Sequence, residues 1–187
     1  MASIRIETLR LILRPPVAGD LDGWAGLDAD DDATRFIGGV QTRGQSRDGL
    51  AQVDRMWTRR GASLFSVLER DTGAWVGRVG PWIPDGHIGT EIGWAIARPH
   101  WGRGYAFEAA GAAMGWAFET LGWADVIHCI DAPNRSSIAL AERLGSGWLR
   151  QDREADGKLV EVYGQTAQAW FLARRISGSE RPDGQAR

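Results

Sequence analysis

The chain has 187 residues, with 24 acidic and 22 basic side chains and a formal charge of −2. That length suits one domain with a sizeable core, and the near balance of charge excludes a global pull toward nucleic acid or an anionic membrane. A single cysteine, Cys129, excludes an internal disulfide, and no apolar run reaches membrane-spanning length.

Met1-Ala2-Ser3-Ile4-Arg5 lacks the apolar core of a secretory signal, so a cytoplasmic protein is expected. Residues 4–13 alternate as a strand, which Arg14-Pro15-Pro16 ends. Asp20 caps a short helix to about Ala29, and Asp28-Ala29-Asp30-Asp31-Asp32 reads as a solvated turn. A second helix starts at Ser46 or Arg47, places Leu50, Val53, Met56 and Trp57 on one face, and closes at Gly61. Residues 64–69 and 75–83 form strands around Asp71-Thr72-Gly73, and Pro84-Asp85-Gly86 turns into a strand over residues 91–97. An alanine-rich helix follows over residues 107–121, then a strand over 125–131 and a helix from Pro133-Asn134 to Leu144. Residues 148–152 and 159–170 make a closing hairpin around Asp156-Gly157.

The order β-α-α-β-β-β-α-β-α-β-β predicts an α+β fold, an α/β sandwich. A mixed, mostly antiparallel sheet of about seven strands is flanked by about four helices. One domain spans residues 1–176, and a polar tail over 177–187 is expected to be disordered. Ten tryptophans are many for this length. Trp57, Trp82, Trp94, Trp101, Trp116, Trp123, Trp148 and Trp170 fall in or beside predicted elements, as core or homodimer contacts, with a minority lining a groove. Lys158 is the only lysine, an imbalance that codon usage suffices to explain.

The most informative stretch is Pro99-His100-Trp101-Gly102-Arg103-Gly104-Tyr105-Ala106, between a strand and a helix. Two glycines one residue apart let the backbone turn so that successive N–H groups face one point, and the helix start adds unpaired donors. Arg103 adds a full charge. Phe107 stands where a dinucleotide fingerprint has its third glycine, and no Gly-Lys-Ser/Thr follows, so neither nucleotide motif is met.

Four pieces in order resemble the GNAT superfamily of N-acetyltransferases, in its RimJ/RimL-type branch, over residues 6–170. They are Ile6-Glu7-Thr8-Leu9-Arg10-Leu11-Ile12-Leu13-Arg14, Glu91-Ile92-Gly93-Trp94, Gly102-Arg103-Gly104-Tyr105-Ala106-Phe107-Glu108-Ala109, and Asn134-Arg135-Ser136-Ser137 with Glu142-Arg143-Leu144-Gly145. The resemblance implies that N–H groups from Trp101, Gly102, Arg103, Gly104, Tyr105 and Ala106 bind the pyrophosphate of acetyl-CoA. It further implies that the pantetheine arm lies along Trp94, Ala95, Ile96 and Ala97, where a strand N–H holds the developing oxyanion. Asn134 caps its helix and, with Ser137, is expected to contact the cofactor.

Direct transfer to an amine asks for a base. Glu91 is that base, directly or through a water, or else a salt-bridged strand carboxylate. Glu108 reads as structural, near a helix N-terminus. The wider superfamily often has Gln or Arg where Pro99 stands, and many members carry a tyrosine acid where Ala141 stands; the candidates for that role in this chain are Ser137 and Tyr163, unless Tyr163 is a packed strand residue and the thiolate leaves without an acid. His87, His100 and His128 form no pair with metal-ligand spacing, so no metal is expected, and mid-strand Cys129 is discounted as a nucleophile.

The reading is therefore an acetyl-CoA-dependent N-acetyltransferase acting on a primary amine, with a peptide or protein α-amine favoured over a small-molecule amine. The acceptor side is expected over residues 20–60 and 152–165, with Asp28, Asp30, Asp31, Asp32 and Glu161 as an acidic rim. The alternative is a non-catalytic acyl-CoA-binding module, which Pro99 and Ala141 favour. A nucleotide- or sugar-phosphate-binding domain leaves the Asn134 motif unexplained. No nucleic-acid or membrane partner is expected, and a homodimer is compatible with the tryptophans.

Overall fold

The computed structural model describes residues 4–179. Strands β1 (Ile6–Glu7) and β2 (Leu11–Arg14) form a hairpin where one strand was expected. The turn is closed by the Thr8 N–H on Leu11 O at 2.9 Å, and Leu9 is left exposed at its tip. Helix α1 (Leu21–Asp28) follows, then α2 (Asp31–Thr34) in place of the expected solvated turn. The Asp30 carboxylate creates α2 by accepting from Asp32 N and Ala33 N. Helix α3 (Arg43–Arg60) starts one turn before the expected Ser46, because Thr42 and Gln45 form a reciprocal capping box, and Gly61 in the left-handed region ends it.

Strands β3 (Phe65–Glu69), β4 (Trp75–Trp82) and β5 (Glu91–Ile96) lead to helix α4 (Tyr105–Thr120). Strand β6 (Asp125–Ile130), helix α5 (Arg135–Arg143), strands β7 (Gly147–Arg153) and β8 (Leu159–Thr166) and helix α6 (Ala167–Ser179) complete the chain. One expectation fails at the C-terminal end. Residues 167–170 begin a helix rather than extend the hairpin, since Trp170 packs against Phe118 of α4 instead of continuing the strand. Residues 180–187, where most of the expected polar tail falls, like the Met1–Ser3 leader reading, lie outside the described residues.

The eight strands form one sheet in the order β1-β2-β3-β4-β5-β6-β8-β7, antiparallel except for β5 with β6. This is the expected mixed sandwich, with one more strand and two more helices. The parallel pair is joined through α4, and a second crossover through α5 carries the chain from β6 past β8 to the edge strand β7. Its core is apolar and aromatic: Trp57, Phe65 and Trp116 pack edge to face, and Leu11, Leu13, Val53, Ile92, Ala113 and Met114 are sealed beneath α3 and α4.

One charge pair is built into this core. Asp20, ahead of α1, takes both guanidinium nitrogens of Arg14 at 2.7 Å, the Val17 N–H at 2.9 Å and the Ser66 hydroxyl at 2.8 Å. Burial alone would raise the Asp20 carboxyl; Arg14 and the other donors more than offset it and hold it below the usual carboxylate range. Its stabilising effect is thus present above the unfolded value near 4 and is lost as pH falls through the lower folded value. Asp20→Ala should cost about 3 kcal/mol, the lower end for breaking a buried pair, because Arg14 keeps some solvent access. Urea melts at a series of pH values below about 4 check this: the parent should lose stability more steeply with acid than the variant.

Candidate active site

The site grows from the failure of one strand pair. Strands β5 and β6 share a single register pair, Glu91 with Ile127, sealed by the Ile127 N–H on Thr90 O at 3.0 Å. In a continued parallel ladder the next bond would join the Cys129 N–H to Ile92 O. Instead the Glu91 side chain reaches over and accepts the Cys129 N–H at 3.1 Å, while Ile92 O accepts from His128 Nδ1 at 2.7 Å. Because a carbonyl only accepts, His128 carries its proton on Nδ1. Its Nε2 then takes the Ser146 hydroxyl at 3.0 Å, and Ser146 Oγ in turn takes the Gln165 amide at 3.1 Å. Complete burial pushes the His128 pKa down, so the ring is a neutral wedge that holds the two strands apart.

Ladder parity decides what faces the opening. Glu91, Gly93 and Ala95 lie opposite Trp82, Gly80 and Arg78, and the Ala97 N–H bonds Val76 O at 2.9 Å. The odd residues therefore turn their backbone groups to β4, and Ile92, Trp94 and Ile96 turn theirs toward β6. Pro81, opposite Ile92, sits where no N–H is needed. Of the four strand residues expected to carry the pantetheine, Trp94 and Ile96 present backbone groups to the opening and Ala95 and Ala97 do not. Trp101 Nε1 donates to Ile96 O at 2.6 Å.

Glu91 is 7 % exposed at the head of the opening. His87 Nε2 stands 2.6 Å from its Oε2, a contact that a proton holds, and no other described residue hydrogen-bonds to either atom. Contact with Glu91 raises the His87 pKa against the effect of burial. Burial, and then Glu91, raise both Cys129 and Glu154. Cys129 is thereby held as the protonated thiol at neutral pH, the poorly nucleophilic form. Glu91, Cys129 and Glu154 line a cleft of about 780 Å³ with Trp24, Trp82, Trp94, Asn134 and Ser137. Its outer wall comes from residues 36–53 and 154–160, inside the two ranges expected for the acceptor side.

The acidic rim is otherwise placed than expected. Asp28 is buried against Arg78 at 2.8 Å, Asp30 and Asp32 are paired with Arg98 at 3.0 Å, and Glu161 is held by Trp148 and Gln151 on the exposed edge hairpin. Asp31 lies apart from the cleft. The acids lining the cleft are Asp28, within its Arg78 pair, and Glu91, Glu154, Asp48, Asp131 and Asp156. Lys158 bonds Asp131 at 2.7 Å and Phe36 O at 3.1 Å, tying the β7–β8 turn to the segment after α2.

The glycine loop lies beyond the C-terminal end of β5. Gly102 and Gly104 have φ of 71° and 77°, a region open to glycine and costly for other residues. The first bond of α4 is the Glu108 N–H on Gly104 O, so the N–H groups of Tyr105, Ala106 and Phe107 have no intrahelical partner. Pro99 occupies a 3-10 turn, Arg98–His100, at a position whose N–H would have no partner in the turn, so it removes no bond there. Glu108 is structural: it takes Thr8 Oγ1, Arg10 N and Arg10 Nε at 2.6–2.8 Å and pins the first hairpin to α4. Arg103 is half exposed beside Tyr105.

Across the opening, Asn134 Oδ1 caps α5 through Ser137 N at 3.2 Å, and Ser137 Oγ accepts from Trp94 Nε1 at 3.2 Å. Tyr163 is packed with Ile130, Ile138 and Ala141 and does not line the cleft. The structure thus brings Glu91, Trp94, Asn134 and Ser137 to one opening and leaves Tyr163 behind it. His87, His128, Glu154 and Lys158 were not foreseen. His128 and Lys158 act through tertiary contacts that no local spacing encodes, whereas His87 sits four residues before Glu91.

A strand pair splayed open beside a glycine loop and helix start is a frame for a thioester cofactor. Residues 10–146 match the model of the acetyltransferase (GNAT) domain. The chain is a GNAT acetyltransferase. Bacillus subtilis YkkB, an uncharacterized protein, is 31% identical over 87% of this chain and 95% of its own. The N-acetyltransferase p20 of Bacillus licheniformis, also uncharacterized, is 29% identical over 84% of this chain and 92% of its own. The crystal structure of an acetyltransferase from Agrobacterium tumefaciens superposes with a TM-score of 0.79 at 28% identity, covering 88% of this chain and 95% of that one. GNAT enzymes use acetyl-CoA as co-substrate. The residues present fit it: a Cβ at Gly102 would meet nothing within 4 Å, leaving a cradle beside the unpaired N–H groups. Among the described residues no helix is long and apolar enough to cross a membrane.

Proposed function

We propose that this GNAT enzyme acetylates a primary amine directly, with Glu91 as general base and Ser137 as the acid, and that its acceptor is a peptide or protein α-amine. The observation that carries the reading is the opening itself, which has the Glu91 carboxylate, the Trp94 N–H and the Ser137 hydroxyl around it. Acetyl-CoA supplies an activated acyl thioester. Trp101 to Ala106 receive its pyrophosphate, each charge-assisted N–H bond contributing about 1.5–3 kcal/mol. Asn134 and the β5 backbone hold the arm. Glu91 takes a proton from the incoming ammonium, leaving a free lone pair to attack the carbonyl carbon. The Trp94 N–H donates to the carbonyl oxygen as charge builds on it. Ser137 accepts a hydrogen bond from Trp94, so its hydroxyl is free to donate to the departing thiolate while it takes the second proton of the attacking nitrogen, which leaves the serine neutral.

The acceptor reading rests on the wall opposite Glu91, where Gln41, Gln45 and Gln52 offer donors and acceptors suited to peptide amides. Asp48, Glu154 and Asp156 favour a cationic amine. A thiol-release assay tests the reading with free and N-blocked forms of the same peptides, a polyamine and an aminoglycoside. Free peptides should react with kcat/KM at least about tenfold above the small amines, a difference of about 1.4 kcal/mol, and blocked ones should be silent. Preference for a small amine would overturn the acceptor. Tight acetyl-CoA binding with no thiol release from any amine would instead favour a non-catalytic module.

A further inference from the structure

We propose that His87, Glu91 and Cys129 form a binding site for a divalent ion of the zinc class, and that occupancy of this site switches acetyl transfer off. One ligand atom from each residue lies within 4.8 Å of the other two. A tetrahedral ion with bonds of about 2.0–2.3 Å requires its ligands about 3.5 Å apart. The 2.6 Å contact between His87 and Glu91 would open by about 1 Å, and the thiol already lies within 4.8 Å of both partner atoms. An opening of that size lies within side-chain rotation.

A second observation points the same way. His87 Nε2 and Glu91 Oε2 are buried and lie 2.6 Å apart, a contact that a proton holds in the metal-free enzyme, and no other described residue hydrogen-bonds to either atom. An ion would displace that proton and take one lone pair from each atom, with the thiol as the third ligand. The set of imidazole, carboxylate and sulfur suits zinc or cobalt and disfavours magnesium and calcium, which require oxygen. The fourth position faces the cleft, where Glu154 or water can enter. The fold assembles the set: His87 precedes β5 by four residues from Glu91, and Cys129 lies two residues beyond the last β5–β6 register pair. The thiol proton leaves as the metal–sulfur bond forms.

The inhibitory half of the proposal rests on Glu91 being the base, because an ion on its carboxylate removes the lone pair that takes the acceptor's proton. The binding half does not. The test titrates the metal-free enzyme with Co²⁺ and follows the thiolate-to-cobalt charge-transfer band and the intense visible bands of a tetrahedral ion. One equivalent should produce both, Zn²⁺ should bleach them, and Cys129→Ser should lose the charge-transfer band. His87→Ala is a second variant, weakening Co²⁺ binding, with acetyl-CoA binding as the check on folding for each. Zn²⁺ should lower the parent's rate by about 10²-fold, the lower end of what a general base contributes, and a chelator should restore it. Each variant's inhibition is read against its own metal-free rate and should be smaller. No charge-transfer band at saturating Co²⁺, or a band that persists in Cys129→Ser, overturns the site. A full band without inhibition upholds the site and overturns the assignment of Glu91 as base.

Discussion

Glu91→Gln should lower kcat by about 10²–10⁴-fold, with acetyl-CoA affinity and thermal stability close to those of the parent. The amide keeps the shape of the carboxylate and its oxygen can still accept the Cys129 N–H, so the bridge across the strand opening survives. What it loses is the capacity to take a proton. The pH profile separates this from a structural fault. A peptide α-amine loses its own proton near pH 8, so the deficit should shrink as pH rises past that value and the acceptor arrives already neutral. A deficit that stays constant with pH would mean that Glu91 positions the strands and that the proton goes elsewhere. Steady-state rates against pH, at saturating acetyl-CoA, decide between the two.

Gly104→Val should raise the Kd for acetyl-CoA by about 10²–10³-fold. A non-glycine residue in the left-handed region costs about 1–2 kcal/mol, more for a branched side chain. The new Cβ would also stand 3.4 Å from Arg10 Nη2, whose side chain is already committed to Glu108 and to Arg103 O. The loop relieves this strain by rotating, and rotation turns the N–H groups off the pyrophosphate; losing one adds about 1.5–3 kcal/mol. Together these terms give two to three decades in Kd. Calorimetry measures it directly. An unchanged Kd would place the pyrophosphate somewhere other than this loop.

Most of the strands and helices were legible because hydrophobic period and turn residues act locally. Gly61 and the Asp71-Thr72-Gly73 turn mark their elements where capping and turn chemistry require. The loop at Gly102 and Gly104 was legible for the same reason: positive φ is a demand on a single residue. Local reading failed where a side chain's meaning depends on a distant partner. The aspartates of 28–32 look solvated in sequence, yet Arg78 draws Asp28 inside and Asp30 turns its run into a helix. Trp170 continues a strand-like pattern but belongs to a helix once Phe118 is beside it. Counting histidine pairs said nothing of a histidine, a carboxylate and a thiol that meet only when β5 and β6 come together. The opening between those strands is likewise invisible in the chain, since it is made by His128 and Glu91 capturing bonds that the ladder would otherwise close.

The tie made by Lys158 carries a consequence of a different kind. Acetyl thioesters acylate unprotected amines without any catalyst, and lysine side chains are the usual casualties on a protein surface, whereas guanidinium groups are chemically inert to them. With Lys158 as its only lysine, this chain exposes almost nothing to that slow damage. The single ε-amine lies at the rim of the cleft and is held between Asp131 and Phe36 O. Spontaneous acetylation at that one position would break the tie between the two walls. An enzyme ageing in a pool of its own donor would therefore register the exposure as a one-site lesion, not as diffuse surface damage.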